Sequence, residues 1–406
     1  MDILVLNAGS SSLKFEIFRT SPELIETNDD FSVAEGVVER IGMAGAEVHF
    51  EYGDRTYHDV DEILDHGSAL NTALDLLRDE DMGPLDDPSD VDAVGHRVVH
   101  GGESFSQSVI IDQDVEMEIE KCVRFAPLHN PHNLKGIRVA RELFPEVPHV
   151  AAFDTGVHQS LPPKSYLYAI PRHFYHEHGI RRYGFHGMSH RYMRYRLSQL
   201  LERPRSEIQF ISCHLGNGCS VAAFDGMQVV DTSMGFTPLE GLVMGTRSGD
   251  LDPAVVLYLM VTEDYLPHEM DTLLNKQSGL EGLSGVTSDM KTLLERADDG
   301  HENCEQAVAV FSHRLEKYIS SYLGVLNGAD AIVFTGGIGE NAAEIRQRAA
   351  GDLTNLGVEL DESANAETTG TEGFIHADAS KTKVGVIPTE EELVIARDTC
   401  RRVKDV

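Results

Sequence analysis

Apolar and polar positions alternate in two short runs near the start of the chain, "ILVLNAG" and "LKFEIF", with Asn-Ala-Gly-Ser-Ser-Ser between the apolar parts. A period of two broken by small polar residues predicts two strands joined by a tight turn. The period then lengthens. Residues 62–80 (EILDHGSALNTALDLLRDE) and 116–144 read as helix, the second stretch interrupted by Pro127 and Pro131. Between them, 91–105 (VDAVGHRVVHGGESF) is a buried-strand pattern ending in glycines. Further on, 149–158 (HVAAFDTGVH) reads as a strand with a carboxylate just past its apolar run, and 208–226 as strand, glycine-rich turn, strand. Residues 330–353 read as strand, glycine turn, helix, and 382–403 as a strand leading into a terminal helix.

Two of these stretches match each other. "ILVLNAGSSSLKFEIF" and "FISCHLGNGCSVAAF" both run strand, turn, Gly-polar-small-small, strand, with Gly9 over Gly216 and Ser10 over Asn217. They start about half a chain apart, which implies a duplicated α/β unit. Taken alone, "NAGSSS" reads either as a plain hairpin turn or as a loop whose amides and hydroxyls approach an anion. It is not a Walker A loop, because that motif needs GxxxxGK[ST] and a helix directly after it.

Composition narrows the partners. The chain has 406 residues, 41% of them hydrophobic, enough for two or three domains with full cores. No apolar run reaches the length of a membrane span, and Met1-Asp2 leads straight into a strand without the basic start of a signal peptide. Lys and Arg total 34 against 67 Asp and Glu, a net charge of −33. Such a surface repels nucleic acid and anionic lipid, so neither is expected as a partner. An anionic ligand must be held by local exceptions: placed cations, backbone N–H groups or a metal ion. Five widely spaced cysteines form no CxxC pair and read as reduced thiols of a cytoplasmic protein.

The motifs "NAGSSSLK", "GHRVVHGG", "APLHNP", "FDT", "RYGFHGMSH", "HLGNG", "GFTPLEGLVMGTRSGDLDP", "FTGGIGEN" and "IPTEEELVIA" follow one another from residue 7 to residue 396. In this order they resemble the acetate kinase family along essentially the whole chain. The resemblance implies a fold of duplicated actin/hexokinase-like (ribonuclease H-like) α/β domains with a nucleotide cleft between them. The expected domains are 1–153, joined by the terminal helix 391–406, and a nucleotide-binding and dimerisation domain over 154–390. The implied reaction is reversible, in-line transfer of the γ-phosphoryl group of ATP to acetate, giving acetyl phosphate and ADP. It implies Mg²⁺ as cofactor, with Mn²⁺ as an alternative ion, and a homodimer. Propionate kinase is the alternative within the class, and a non-catalytic actin-like nucleotide-binding assembly protein the alternative outside it.

The same resemblance implies roles for single residues. Arg97 takes the acetate carboxylate, as a planar guanidinium can with two parallel hydrogen bonds. Arg247 and His186 face the charge that develops during phosphoryl transfer, and Asp154 is catalytic. Because a small carboxylic acid is already ionised at neutral pH, Asp154 is expected to work by placement, orienting Arg97 or a metal-bound water. Val99, Leu128, His129, Phe185 and Pro238 line the acyl site. The nucleotide is assigned to Ser10, Ser12, Lys14, His214, Leu215, Gly216, Asn217, Gly218, Asp289, Met290, Lys291, Gly337, Ile338, Gly339, Glu340 and Asn341. Asn7 and Glu391 hold the metal, although Thr389-x-x-Glu392 also reads as a helix capping box. Lys291 stands where the family has Arg, Glu390 where it has Asn and His132 where it has Pro, and Gly156-Val157 replace a bulkier pair.

Overall fold

The computed structural model describes residues 1–9, 11–43, 45–127 and 129–405. The chain divides into two compact units, Met1–Gln159 with Glu390–Val406, and Ser160–Thr389.

The first unit is built on β1 (Asp2–Ala8), β2 (Leu13–Arg19), β3 (Phe31–Glu39), β4 (Ala46–Tyr52), β5 (Arg55–Asp61), β6 (Ala93–Val98), β7 (Val109–Ile110) and β8 (His149–Phe153). They form one sheet in the order β5-β4-β3-β2-β1-β6-β8-β7. β1, β6 and β8 run parallel to one another, and the other pairings are antiparallel. β8 is buried on both faces, whereas β2 alternates, as the continuous and alternating patterns of the two segments require. Leu13, Phe15, Ile17, Ala34, Val38, Val48 and Phe50 present one apolar face to the helices His66–Leu77 and Asn130–Leu143. The Leu, Phe, Ile and Val side chains among them each contribute about 1.5–3 kcal/mol on burial. The terminal helix Glu391–Lys404 belongs to this unit. It packs so closely on β6 that a Cβ on Gly95 would lie 2.6 Å from Thr399 Oγ1.

In the second unit the strands are β9 (Gln209–Leu215), β10 (Cys219–Asp225), β11 (Gln228–Thr232), β12 (Ala331–Thr335), β13 (Gly373–Phe374) and β14 (Lys383–Val386). Their order is β11-β10-β9-β12-β14-β13. This matches β3-β2-β1-β6-β8-β7 strand for strand, and each pairing has the same sense in both units. The expected duplication is therefore present in topology. The repeated hairpins differ slightly: Ala8 pairs with Leu13, but Leu215 pairs with Cys219, so the second connection is one residue shorter.

Two stretches differ in detail from the sequence reading. The 116–144 stretch resolves into a helix Gln113–Lys121, a 3₁₀ turn Cys122–Arg124 and a helix Asn130–Leu143 that starts with Pro131 in its first turn. Proline lacks the N–H an interior position needs but fits a first turn, which explains the break. The boundary between units falls after Gln159, so Asp154 lies with the first unit. Residues 154–159 are tied back to that unit by Asp154 N–H to Val98 O (3.0 Å), Gly101 N–H to Thr155 Oγ1 (3.1 Å) and Gln159 Nε2 to Gly102 O (2.7 Å). Among the described residues, no helix is long and apolar enough to cross a membrane.

Candidate active site

Three parallel strands of the first unit end side by side, and each delivers a polar residue at its C-terminal edge, where open α/β sheets place ligands. Asn7 lies near the end of β1, Arg97 near the end of β6, and Asp154 directly follows β8. Arg97 donates to Asp154 through Nε (3.2 Å) and Nη2 (2.7 Å), and through Nη1 to Asn7 Oδ1 (3.1 Å). Asp154 is 1% exposed and the Arg97 side chain 19%, so the pair is sheltered while the guanidinium keeps an open edge. A guanidinium has five N–H donors. The three bonds named leave one N–H on each terminal nitrogen, two donors for a carboxylate. Burial alone would lower the Arg97 pKa, but the charges of Asp154, Glu391 and Glu392 outweigh it and hold it above its ordinary value.

The surroundings of Glu391 bear on a cation. Burial pushes its carboxyl above the usual carboxylate range, Asp154 and Glu392 add to the shift, and Arg97 opposes it. Carboxylates crowded in this way, beside the amide of Asn7, are a hard-oxygen donor set that a Mg²⁺ ion suits. The capping-box reading of Thr389 and Glu392 does not hold. Thr389 Oγ1 bonds Ser189 Oγ (3.1 Å), the residue before the helix is Glu390 with no side-chain cap, and Glu392 Oε1 accepts from Asn7 Nδ2 (3.0 Å).

The second unit gathers a different group. His186 precedes the helix Gly187–Leu200 with a left-handed φ of 56°, a conformation that costs a non-glycine residue energy. Its ring is fixed by Ser220 Oγ on Nδ1 (2.9 Å) and lies against His214, tilted by 34° with 4.3 Å between centroids. His190 Nε2 shares the same hydroxyl at 2.8 Å, and Ser189 Oγ holds His214 Nδ1 at 2.8 Å. Arg247 Nη1 donates to Pro238 O (3.0 Å). Burial lowers its pKa, and no carboxylate among the described residues pairs with it. A Cβ on Gly218 would lie 3.3 Å from His186 Nε2 and 3.6 Å from Arg247 Nη1, so the glycine lets these two side chains approach the second hairpin turn. The arrangement is a sheltered cation and a fixed imidazole beside a turn, suited to negative charge that develops on a ligand.

Beside that turn lies a cavity of about 860 Å³. Of the residues assigned to nucleotide, Gly216, Asn217, Asp289, Met290, Lys291, Gly337, Ile338 and Asn341 line it. Asp289 caps the helix Met290–Asp298 through Thr292 N–H (2.8 Å) and the Thr292 hydroxyl (2.7 Å), which hold its carboxyl below the usual range. Gly336 forms the turn from β12 with φ +76°, where a Cβ would lie 2.8 Å from Leu215 O. Glu340 faces the backbone instead of the cavity, accepting from Gly336 N–H (2.7 Å) and Thr389 N–H (3.2 Å). His214, Leu215 and Gly218 belong to the second hairpin, and Gly339 is buried under Phe334.

The remaining assignments divide between the units. Ser12 and Lys14 sit at the first hairpin, where Ser12 O accepts Gly9 N–H (2.8 Å) and Lys14 pairs with Asn7. Val99 and His129 lie in the first unit, Phe185 and Pro238 in the second. Ser10 and Leu128 fall outside the described residues. Sequence reasoning missed Asn130 and Asn133. Asn133 accepts Val99 N–H (3.1 Å) and donates to Ala8 O (2.8 Å); Asn130 accepts His100 N–H (3.1 Å) and donates to His100 O (2.9 Å). The two amides therefore fix the end of β1 and the chain after β6. Their signal was a pair of asparagines one helical turn apart on a buried face, in "HNPHN".

The profile of the acetokinase family matches residues 2–397. The chain is 50% identical to the acetate kinase of Halothermothrix orenii over 406 residues, covering 100% of both chains. It is 49% identical to that of Thermotoga maritima over 408 residues, again with 100% of each covered. The crystal structure of Porphyromonas gingivalis acetate kinase superposes with a TM-score of 0.92 at 38% identity and 99% coverage of each chain. That of a propionate kinase from Francisella tularensis gives 0.90 at 40% identity, with 98% and 99% covered. With matching motifs, a duplicated strand plan and full-length identity near one half, the chain belongs to the acetokinase family.

Proposed function

We propose that the protein catalyses reversible phosphorylation of acetate by ATP, giving acetyl phosphate and ADP through direct attack of a carboxylate oxygen on the γ-phosphorus. The observation that carries this reading is the Arg97 fork, backed by Asp154 and Asn7 with its two outer donors left over. Asp154 fixes the plane of the guanidinium and neutralises its charge, and no base is required because acetate arrives ionised. Arg247 and His186 stabilise the charge spread over the transferring phosphoryl oxygens. The adenosine is assigned to the cavity lined by Asp289, Met290 and Lys291, and the phosphates to the turns at Gly216–Gly218 and Gly337–Ile338. A divalent ion, Mg²⁺ with Mn²⁺ as the alternative, is assigned to Asn7 and Glu391; it would neutralise phosphate charge.

A homodimer is part of the proposal. The helix Pro253–Thr262 (PAVVLYLMVT) is apolar throughout and buries none of its residues, with Leu257 and Tyr258 each 66% exposed and Val261 78%. A face of this kind calls for a partner. A second copy fits because the patch is apolar on an otherwise strongly acidic chain, where a like-charged surface would repel everything outside it. A cytoplasmic location is supported by five cysteines that are all buried and unpaired.

The test is an acyl-hydroxamate assay with ATP, Mg²⁺ and acetate, propionate, butyrate or no acid. Acetate giving the highest kcat/KM supports the reading. A preference for propionate would move the protein to the alternative substrate, which one extra methylene discriminates by only about 1–3 kcal/mol. No acid-dependent product would overturn the reading.

A further inference from the structure

The outer end of the first unit's sheet carries a group of side chains that phosphoryl transfer does not use. β4 and β5 form a hairpin in which His49 and His58 are directly opposed residues, with ring centroids 4.3 Å apart. Directly opposed side chains leave an antiparallel pair on the same face, so the two imidazoles converge without backbone movement. Glu47, two residues before His49, shares that face. The ligand atoms of Glu47, His49 and His58 all lie within 4.8 Å of one another, with both histidines exposed and the glutamate half-buried.

We propose that Glu47, His49 and His58 form a binding site for a divalent transition-metal ion of the Zn²⁺ class. The donor set decides the class. Two imidazole nitrogens and one carboxylate oxygen suit Zn²⁺, Co²⁺, Ni²⁺ or Cu²⁺, whereas Mg²⁺ prefers oxygen alone. Ligands about 2.0–2.2 Å from a tetrahedral centre stand about 3.4 Å apart. Rotation of the two exposed histidines closes the difference from 4.8 Å. Three protein ligands leave the remaining position to water, as in open zinc sites. Arg40 Nη1 donates to Glu47 Oε1 at 3.1 Å, which leaves Oε2 for the metal. Glu51, next along the same face of β4, adds negative potential.

The site has a structural consequence. β5 is the edge strand, pairs only with β4 among the described residues and buries none of its side chains. A metal bridging His49 and His58 fastens this edge to the sheet, so binding raises the stability of the folded chain.

The experiment titrates metal-free, full-length protein with Zn²⁺ by calorimetry, in excess Mg²⁺ to occupy sites of oxygen ligands. The His49→Gln/His58→Gln double variant and Glu47→Gln are run beside the wild type. The double variant is expected to bind one Zn²⁺ fewer per chain and to lose the Zn²⁺-dependent rise in melting temperature. Glu47→Gln should weaken the same site by at least about tenfold. Both variants should keep wild-type kinase activity in Mg²⁺ alone, which shows that they are folded. Wild-type and double-variant isotherms that superimpose would overturn the proposal.

Discussion

Replacing Asp154 by Asn separates placement from proton transfer. The carboxylate is 1% exposed and takes two hydrogen bonds from Arg97, at 3.2 and 2.7 Å. An Asn at this position keeps one acceptor but turns an NH₂ toward the guanidinium and removes the charge that balances it. Without that balance the guanidinium leaves the plane that acetate needs, at the cost of one to two charge-assisted hydrogen bonds to the substrate, about 3 kcal/mol. At about 1.36 kcal/mol per decade this is a loss of about two decades in kcat/KM for acetate. KM for ATP should stay within about twofold, because the cavity assigned to nucleotide is lined by residues 216–369 alone. The assay is initial-rate kinetics in both substrates, followed by kcat against pH from about 6 to 9 at saturating Mg²⁺ for the wild type and Asp154→Glu. Placement predicts profiles of the same shape, scaled down in the variant, and a solvent isotope effect near unity. Full acetate turnover in Asp154→Asn would refute placement, as would an acid limb that moves in Asp154→Glu together with a solvent isotope effect.

Other predictions follow from single side chains. Arg97→Ala should chiefly raise KM for acetate, while Arg247→Ala should chiefly lower kcat, by roughly two to three decades; equal small effects on both parameters in both variants would contradict the assignment. Burial, opposed by a Ser32 hydrogen bond and reinforced by Glu392, Glu35 and Glu390, pushes the Glu16 carboxyl up to about 8 from 4.5. The folded chain thus holds a proton that the unfolded chain has lost, and stability falls as pH rises from about 4.5 to about 8, then levels. Glu16→Gln should accordingly leave the melting temperature unchanged near pH 5 and raise it near pH 8.5; equal gains at both would count against this. Leu257→Asp, on the exposed helix Pro253–Thr262, should convert the proposed dimer to monomer by light scattering, and a dimer of unchanged mass would remove that helix from its interface.

The parts of the fold that were legible in the sequence are those whose burial matches a simple period. β1, β6, β8, β9 and β12 carry apolar runs that end at glycines or polar residues, and they form the parallel core of the two sheets. β5 is not legible in this way. β5 (RTYHDVD) buries none of its residues, so its strand pairing rests on the hairpin to β4 and leaves no hydrophobic alternation to find. The candidate site was legible through its motifs, but not through its supports. Asn130 and Asn133 look like helix-surface polar residues until the fold buries them against the ends of β1 and β6. Ser220 sits in a buried apolar strand, and only the fold shows that it holds both His186 and His190. Glu340 reads as a ligand contact from "GGIGEN", yet its carboxylate ties Gly336 and Thr389. The difference is physical: side chains that meet a ligand recur in short motifs, while those that hold them come from distant strands and helices.

If an oxygen of acetate attacks the transferring phosphorus, and nothing attacks the acyl carbon, the bridging oxygen of acetyl phosphate comes from acetate. Incubating the protein with ATP, Mg²⁺ and acetate labelled with ¹⁸O in both oxygens, and observing the product by ³¹P NMR, tests it most directly. Acetyl phosphate is expected to form in step with ADP, its phosphorus shifted by an ¹⁸O in the C–O–P bridge. Unlabelled bridging oxygen, or ADP and inorganic phosphate released without acetyl phosphate, would contradict it.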